Sequence, residues 1–471
     1  MKANVIEGDL IASLRAIVGP SGLLEGDDVR SRYPGYFMDG IGARVLVRPT
    51  TTEEVSRVMA LCNERGQSVV TQGGMSGWVR GTQTTADDLI LSLERMNHIE
   101  EIDAVNRTAT VQAGVVLQNL QEAVEEYQLV FPLDLGGRGS CQLGGNASTN
   151  AGGLRVIRYG MMRQLVLGVE AVMADGTVVS SLNKMIKNNA GYDLKQLFLG
   201  TEGTLGIITR LVVRLYEQPL SSNTCMVALT DFSRVASFLR FMDRSLGGML
   251  SAFEVLDRDF YATNTADGRH RPPLAASYPY FVLLEALGYD QQRDANQFES
   301  ILGEALEQGL IEDAVLPRSE SERESLWAIR EDLEHILADM KPFQAFDVSL
   351  PIGEMESYMG EVRARVCGRW PRARICFLGH VGDGNLHIAI GCGSDRPGDI
   401  RAVEECVYHP LASVGGSVSA EHGIGLEKKG FLHVSRSGVE IELMRLLKTT
   451  LDPKAILNPG KVFDLAADDV A

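Results

Sequence analysis

Three glycine-rich stretches, QGGMSGWVRG (72–81), LGGNASTNAGG (143–153) and LGTEGTLGII (199–208), follow one another between runs of strand-like residues. Each mixes glycine with Ser, Thr or Asn. Glycine allows backbone conformations closed to other residues and lets main-chain N–H groups come close to an anion. None of the three contains the phosphate-loop pattern G-x-x-x-x-G-K-[ST], and none follows the single strand–helix logic of G-x-G-x-x-G. One such stretch would be an ordinary turn. Three in succession point to one extended ligand whose diphosphate is held by several loops.

The surrounding residues set an order of elements. An apolar helical pattern (Leu10, Leu14, Ile17, Val18) opens the chain, and ARVLVRPTTTEEVSRVMALCNERGQSVVTQGG then predicts strand, helix, strand and glycine loop. Thr51 or Thr52 can cap that helix, with Glu53 and Glu54 in its positive first turn. From 89 to 216 short strands dominate, and Asp175-Gly176 marks a hairpin. Beyond Pro219 the pattern becomes β-α-β-β-α-β, through helices at Phe232–Met242 and Ala295–Gln308, which predicts a ferredoxin-like layer. A helix containing LWAIREDLEHIL, the strand FDVSLP, the helix EMESYMGEVRARV and a hairpin at 379–390 follow, and the tail GVEIELMRLLKTTLDPKAILNPGKVF is a helix ending at a Pro-rich loop. The class is α+β, with boundaries expected near 218 and 410.

The hairpin GHVGDGNLHIAI carries His380 and His387 around Gly382-Asp383-Gly384-Asn385, which is turn chemistry. Residues seven apart on one straight strand face opposite sides, whereas a tight turn can bring both imidazoles together. Glu421, in SAEHGIG, adds a carboxylate, and two imidazoles with one carboxylate leave positions open for substrate, as catalytic zinc sites do. His98, His270, His335, His409 and His433 lack such company and are expected to be packed or solvated.

Composition excludes other classes. The net charge of −17 opposes nucleic-acid binding, which needs a basic face. No apolar run approaches a membrane span and no signal peptide is evident. Seven scattered cysteines, never C-x-x-C, fit free thiols in a reducing compartment, so a cytoplasmic protein is expected.

PTTTEEVSRVM, GGMSGWVRG, CQLGGNASTNAGGLRVIRYG, NAGYDLKQLFLGTEGTLGIIT, GHVGDGNLH, SAEHGIG and NPGK occur in that order over roughly residues 40–465. In these blocks the chain resembles the vanillyl-alcohol-oxidase or PCMH-type FAD flavoproteins, in the branch of D-lactate and D-2-hydroxyglutarate dehydrogenases and the glycolate oxidase FAD subunit. The resemblance implies an FAD-binding domain over 1–218 with its core from about 40, a substrate or cap domain over 219–410, and a segment 411–471 completing the active site. It implies FAD contacts from Gly73, Gly74, Met75, Ser76, Gly77 and Gly81, and from Gly144, Gly145, Asn146, Thr149 and Asn150. Gly152, Gly153 and Tyr159 would line the flavin, Glu202, Gly203 and Ile207 would approach the adenosine half, and Asn458 would sit near the isoalloxazine. Cys141 is the one candidate for covalent attachment, but the resembling branch makes no such bond, so FAD is expected to be non-covalent.

The same resemblance implies a divalent cation, zinc or else manganese or cobalt, on His380, His387 and Glu421, with His422 as general base. It assigns Arg330 to the substrate carboxylate, which a guanidinium matches bidentately. The reaction implied is oxidation of a D-2-hydroxy acid to the 2-oxo acid by hydride transfer to flavin N5. The partners implied are a homodimeric copy and an electron acceptor such as electron-transfer flavoprotein or a quinone. Three departures bear on the substrate. Ala345 stands where the branch has a lysine, Glu334 where it often has threonine, and Ala389 where an asparagine is common. Each removes a donor for a second carboxylate, so a monocarboxylic substrate with a non-acidic side chain is expected. Two competing functions are an FAD-dependent oxidase of an alcohol or phenol, which needs no metal, and a non-catalytic flavin subunit, which needs no intact EHG block.

Overall fold

The computed structural model describes Ile6 and residues 8–465, so the outermost ends of the expected first and last segments lie outside the described residues. Contacts divide the chain into two units: 1–152 with 160–218 and 421–471, and 153–159 with 219–420. The expected boundaries were 218 and 410; the second unit continues to Ala420 and also takes in the heptapeptide 153–159. Among the described residues no helix is long and apolar enough to cross a membrane.

The first unit holds two main sheets. In the smaller, Leu23–Glu25, Val45–Val47, Leu89–Ser92 and Val69–Gln72 lie in that order, with the last three parallel. The helix Thr52–Arg65 makes the crossover. Thr51 caps it by accepting from the Glu54 N–H, and Val55, Val58, Met59 and Cys62 form its buried stripe. The larger sheet is antiparallel, in the order Ile99–Asp103, Thr108–Gln112, Ile207–Arg214, Val166–Val172, Val178–Ser181. Its last hairpin turns at Asp175-Gly176, where Gly176 has φ 88°. One expectation needs correction: much of the second glycine-rich stretch is a helix, Leu143–Thr149, and not a loop. Ser148 and Thr149 donate back to the carbonyls of Gly144 and Gly145, and Asn150 closes the helix in the left-handed region at φ 52°.

The second unit is one antiparallel sheet of β1 (Ser221–Leu229), β2 (Leu250–Asp257), β3 (Tyr280–Gly288), β4 (Asp313–Val315), β5 (Gln344–Ser349), β6 (Arg374–His380) and β7 (Asn385–Gly391). Their spatial order is β4-β1-β3-β2-β6-β7-β5. The first four strands, with capped helices Phe232–Leu246 and Gln291–Glu307, give the ferredoxin-like order 4-1-3-2. Helix Phe232–Leu246 packs on one face, where Phe238 meets Phe253 at 5.9 Å. Met226, Leu256, Phe281, Leu283, Leu378 and Ala389 form the opposite face, covered by Leu326, Ile329 and Ile336. Those last three come from two helices, Glu320–Glu331 and Leu333–Asp339, where the sequence predicts one. Asp332 breaks the run by turning its carboxylate onto the His335 N–H, as an N-cap does.

Candidate active site

His380 ends β6 and His387 lies in β7, with one 3-10 turn, Val381–Asp383, between them. Gly384, at φ 88°, brings the chain back. The register pairs Leu378 with His387, so His380, two residues past Leu378, points to the same face and stands diagonal to His387. The two rings are 5.2 Å apart and nearly perpendicular, at 84°. The turn thus reverses the strand parity that would have separated them.

The neighbouring strands supply a carboxylate on each side. Glu254 of β2 pairs with His380 and Asp347 of β5 pairs with His387, so Glu254, His380, His387 and Asp347 form one polar row across four strands. Glu254 accepts from His380 Nδ1 at 2.6 Å and from Arg330 Nε at 2.8 Å. Burial alone would raise its carboxyl, but contact with His380 and Arg330 brings it down to about 2. An ionised carboxylate only accepts, so Nδ1 is the donor of this hydrogen bond and Nε2 is the nitrogen on the far side of the ring. A carboxylate behind the non-ligating nitrogen is the usual support of a metal-ligating imidazole. Arg330 Nη2 lies 3.5 Å from that Nε2.

Asp347 is 1% exposed and lies 3.8 Å from His387 Nδ1. It accepts from Asn385 Nδ2 at 2.9 Å and from the Ala420 N–H at 3.2 Å. Ala420 directly precedes Glu421 and His422 in the chain. Asp383, in the turn, is pushed up to about 6 by burial, against the pull of His380 and with Glu254 adding. Ala345 and Ala389 face each other across β5 and β7, two residues from Asp347 and His387 and on the same side. Glu334 is exposed on its helix.

In the first unit, Glu202 holds the turn that Glu421 and His422 open. Its Oε1 accepts from the Ile424 N–H at 2.7 Å and its Oε2 from the Gly425 N–H at 2.8 Å. Burial pushes this carboxyl up, opposed by those two N–H groups and by Lys428. Gly423 fits only without a side chain, because a Cβ would stand 2.8 Å from Glu202 Oε1. Asn458 joins the same assembly: its Oδ1 accepts from the Thr71 N–H at 2.9 Å and its Nδ2 donates to the Glu202 carbonyl at 2.6 Å. Glu202 and Asn458, expected at the two ends of FAD, thus have these atoms engaged in positioning the His422 turn against the strand that leads into the 72–81 loop. Gly203 packs against Asn458, and Gly81 against Glu202. The His422 ring lies on Trp78, with centroids 5.3 Å apart and planes 31° from parallel.

The remaining flavin candidates divide into three groups. Gly73 and Gly74 pass beside residues 140–145, Ser76 lies against Gly137 and Met75 against Gly35, and a Cβ on Gly74 would fall 1.9 Å from the Ser140 carbonyl oxygen. Met75 has φ 56°. Gly77 and Gly145 face open space, while Gly144 is pressed on Ala113. Nearby, Gln142 Oε1 and Asn146 Oδ1 are buried with no hydrogen-bond partner among the described residues. Two buried acceptors beside an open glycine cradle fit a ligand rich in hydroxyl and N–H donors, as a flavin nucleotide is. The second group shapes the backbone. Thr149 bonds its own helix, Asn150 Oδ1 accepts from the Arg163 N–H, and Gly152 leaves room for Glu421, whose Oε1 would be 2.9 Å from a Cβ there. In the third group, Ile207 is buried in the larger sheet, and Gly153 and Tyr159 belong to the second unit. Cys141 is 2% exposed and burial pushes its thiol up to about 11, so it is a protonated thiol at neutral pH.

Residues 43–181 match the FAD binding domain family, and residues 218–462 match the family of FAD linked oxidases, C-terminal domain. Over 466 residues the chain is 38% identical to a protein of Oryza sativa subsp. indica named probable D-2-hydroxyglutarate dehydrogenase, mitochondrial, spanning 98% of this chain and 82% of that one. It is also 38% identical over 424 residues to the D-2-hydroxyglutarate dehydrogenase of Xanthomonas citri pv. viticola, spanning 89% of each. The solved structure of p-cresol methylhydroxylase with substrate bound superposes with a TM-score of 0.74 over 97% of this chain and 96% of that one, at 16% identity.

Proposed function

Because the chain belongs to the FAD-linked oxidoreductases that include these D-2-hydroxyglutarate dehydrogenases, we propose that it oxidises a D-2-hydroxy acid to the 2-oxo acid. The observation that carries this reading is the polar row Glu254–His380–His387–Asp347, built into an otherwise apolar sheet face. When bound, FAD supplies the hydride acceptor, and a divalent cation, zinc or else manganese or cobalt, supplies a Lewis acid for the substrate hydroxyl. His380, His387 and Glu421 are the residues proposed to hold the cation. Glu254 fixes the His380 tautomer, and Asp347 fixes both the His387 strand and the chain one residue before Glu421.

His422 takes the hydroxyl proton as general base, its ring steadied by Trp78 and its turn by Glu202. Arg330 has Nε on Glu254 and directs its Nη groups to the substrate carboxylate. The pair Ala345–Ala389 offers no donor to a second carboxylate, and burying one unpaired would cost roughly several kcal/mol. The substrate proposed is therefore monocarboxylic, with a non-acidic side chain. The electron acceptor proposed as partner is electron-transfer flavoprotein or a quinone. Seven cysteines outside any disulfide suit the reducing cytoplasm.

The test is anaerobic bleaching of the flavin band by matched D- and L-2-hydroxy acids, with and without prior chelation. Bleaching by D-monocarboxylates, abolished by chelator and restored by zinc, is expected. Equal or faster bleaching by D-2-hydroxyglutarate would remove the monocarboxylate preference. Bleaching by simple alcohols or phenols, unaffected by chelator, would move the chain to the oxidase class.

A further inference from the structure

Four aromatic side chains in the first unit lead outward from His422. Trp78 lies on the imidazole, Phe37 meets the indole edge-on at 5.5 Å, Tyr36 tilts against it at 5.9 Å, and Tyr33 stands 6.2 Å beyond Tyr36. A core cluster would be covered, yet Tyr33, Tyr36 and Phe37 are 57%, 47% and 54% exposed. Contiguous exposed aromatic surface of this kind marks a binding surface more often than a structural one. Phe37 also has φ 58°, a conformation an aromatic residue adopts only against a steric cost. The fold therefore holds three open rings, one of them in a strained conformation, two or three ring contacts out from the group proposed to take the substrate's proton.

On the reading that His422 is that base, we propose that Trp78, Phe37 and Tyr36 form an aromatic wall for the side chain of the 2-hydroxy acid. The substrate class is then D-2-hydroxy acids with aromatic or branched apolar side chains. A carbon bearing the hydroxyl within reach of the imidazole puts the next carbons against the indole, whose centroid is 5.3 Å from the imidazole's. Phe37 extends the apolar surface one ring further. An indole face and a phenyl edge favour an aromatic guest in offset or edge-on contact. A hydrophobic wall discriminates by size, with roughly tenfold or more per substantial apolar group.

Rates of anaerobic flavin reduction by D-lactate, D-2-hydroxyisocaproate and D-3-phenyllactate test the wall in the FAD- and zinc-loaded enzyme. Wild type, Trp78→Leu and Phe37→Ala are compared, each normalised to its bound flavin. Wild type is expected to prefer phenyllactate over lactate in kcat/KM by at least roughly tenfold, with isocaproate between them. That ratio should fall roughly tenfold in Trp78→Leu and about threefold in Phe37→Ala, chiefly through KM for phenyllactate. A ratio that moves less than about twofold in both variants overturns the wall, whatever happens to the absolute rates. So does a wild type that prefers lactate. If no D-2-hydroxy acid reduces the wild-type flavin, the oxidation reading fails together with the wall. Bleaching with an unchanged ratio removes the wall alone.

Discussion

The first unit shapes its flavin candidates mainly with backbone, and the second shapes its histidine row with side chains. Around Gly74, Gly144 and Gly423, main chain passes so close to other atoms that a single Cβ would collide. Around His380 and His387, ordinary strand register does the placing, and the identities of Glu254, Arg330 and Asp347 decide what each ring can do. A backbone cradle is intolerant of added bulk and indifferent to charge. A side-chain row is the reverse: it loses its chemistry to an isosteric change that leaves packing untouched.

The sharpest way to break that contrast is Gly74→Ala. Its Cβ would sit 1.9 Å from the Ser140 carbonyl oxygen, so the 73–77 loop must move. Bound flavin per protein is expected to fall more than about tenfold, whereas Gly136→Ala, which meets nothing within 4 Å, should retain it. Flavin retained in full by Gly74→Ala would show that the cradle is not backbone-limited. On the side-chain half, Glu254→Gln keeps shape and removes charge. Zinc affinity, by competition with a chelator, should fall roughly 10–100-fold while flavin content stays put.

A smaller effect is expected at the end of the row. Ala345→Lys places a cation on the exposed position opposite Ala389. The kcat/KM ratio of D-2-hydroxyglutarate to D-lactate should rise about tenfold, since a charged hydrogen bond replaces an unpaired carboxylate. An unmoved ratio would mean that the second carboxylate lies elsewhere. The smallest effect concerns stability. Buried Asp257 caps the helix Arg258–Thr265, and burial pushes its carboxyl up to about 7, with Asp259 adding and Arg363 opposing. A carboxyl raised above its unfolded value of 3.8 stabilises fully below that value, and the contribution is lost as pH rises through about 7. Asp257→Asn keeps a capping oxygen and removes the titration. Its Tm relative to wild type should therefore be higher at pH 8 than at pH 4.5. An equal offset at both pH values would show that Asp257 stays ionised throughout.

What was legible in the sequence was local. The Thr51 cap, the Asp175-Gly176 turn and the β-α-β-β-α-β order each rest on neighbouring residues, and each appears in the fold. The pairing of His380 with His387 was open until the turn length set the strand parity. Glu254 and Asp347 escaped sequence reasoning because their partners arrive through register with strands far along the chain. A signal existed: each is an acid inside an apolar strand run, SAFEVLD and AFDVSLP, where charge is costly unless paired. The helix Leu143–Thr149 was hidden by glycines of poor helix propensity, which tertiary packing overrides. Glu202 is implied as a flavin contact by the resemblance alone; its hold on the 424–425 N–H groups could not be read locally, because the turn lies more than two hundred residues along the chain.

The outer edge of the strand Val69–Gln72 has a further consequence, for biosynthesis. That edge is closed by residues 456–458: Val69 donates to the Ile456 carbonyl, Asn458 donates back to Val69, and Leu457 bridges Val69 in parallel. The strand Val69–Gln72 therefore keeps an open edge until residues 456–458 have been synthesised. A nascent chain halted before residue 456 would expose that edge to its neighbours.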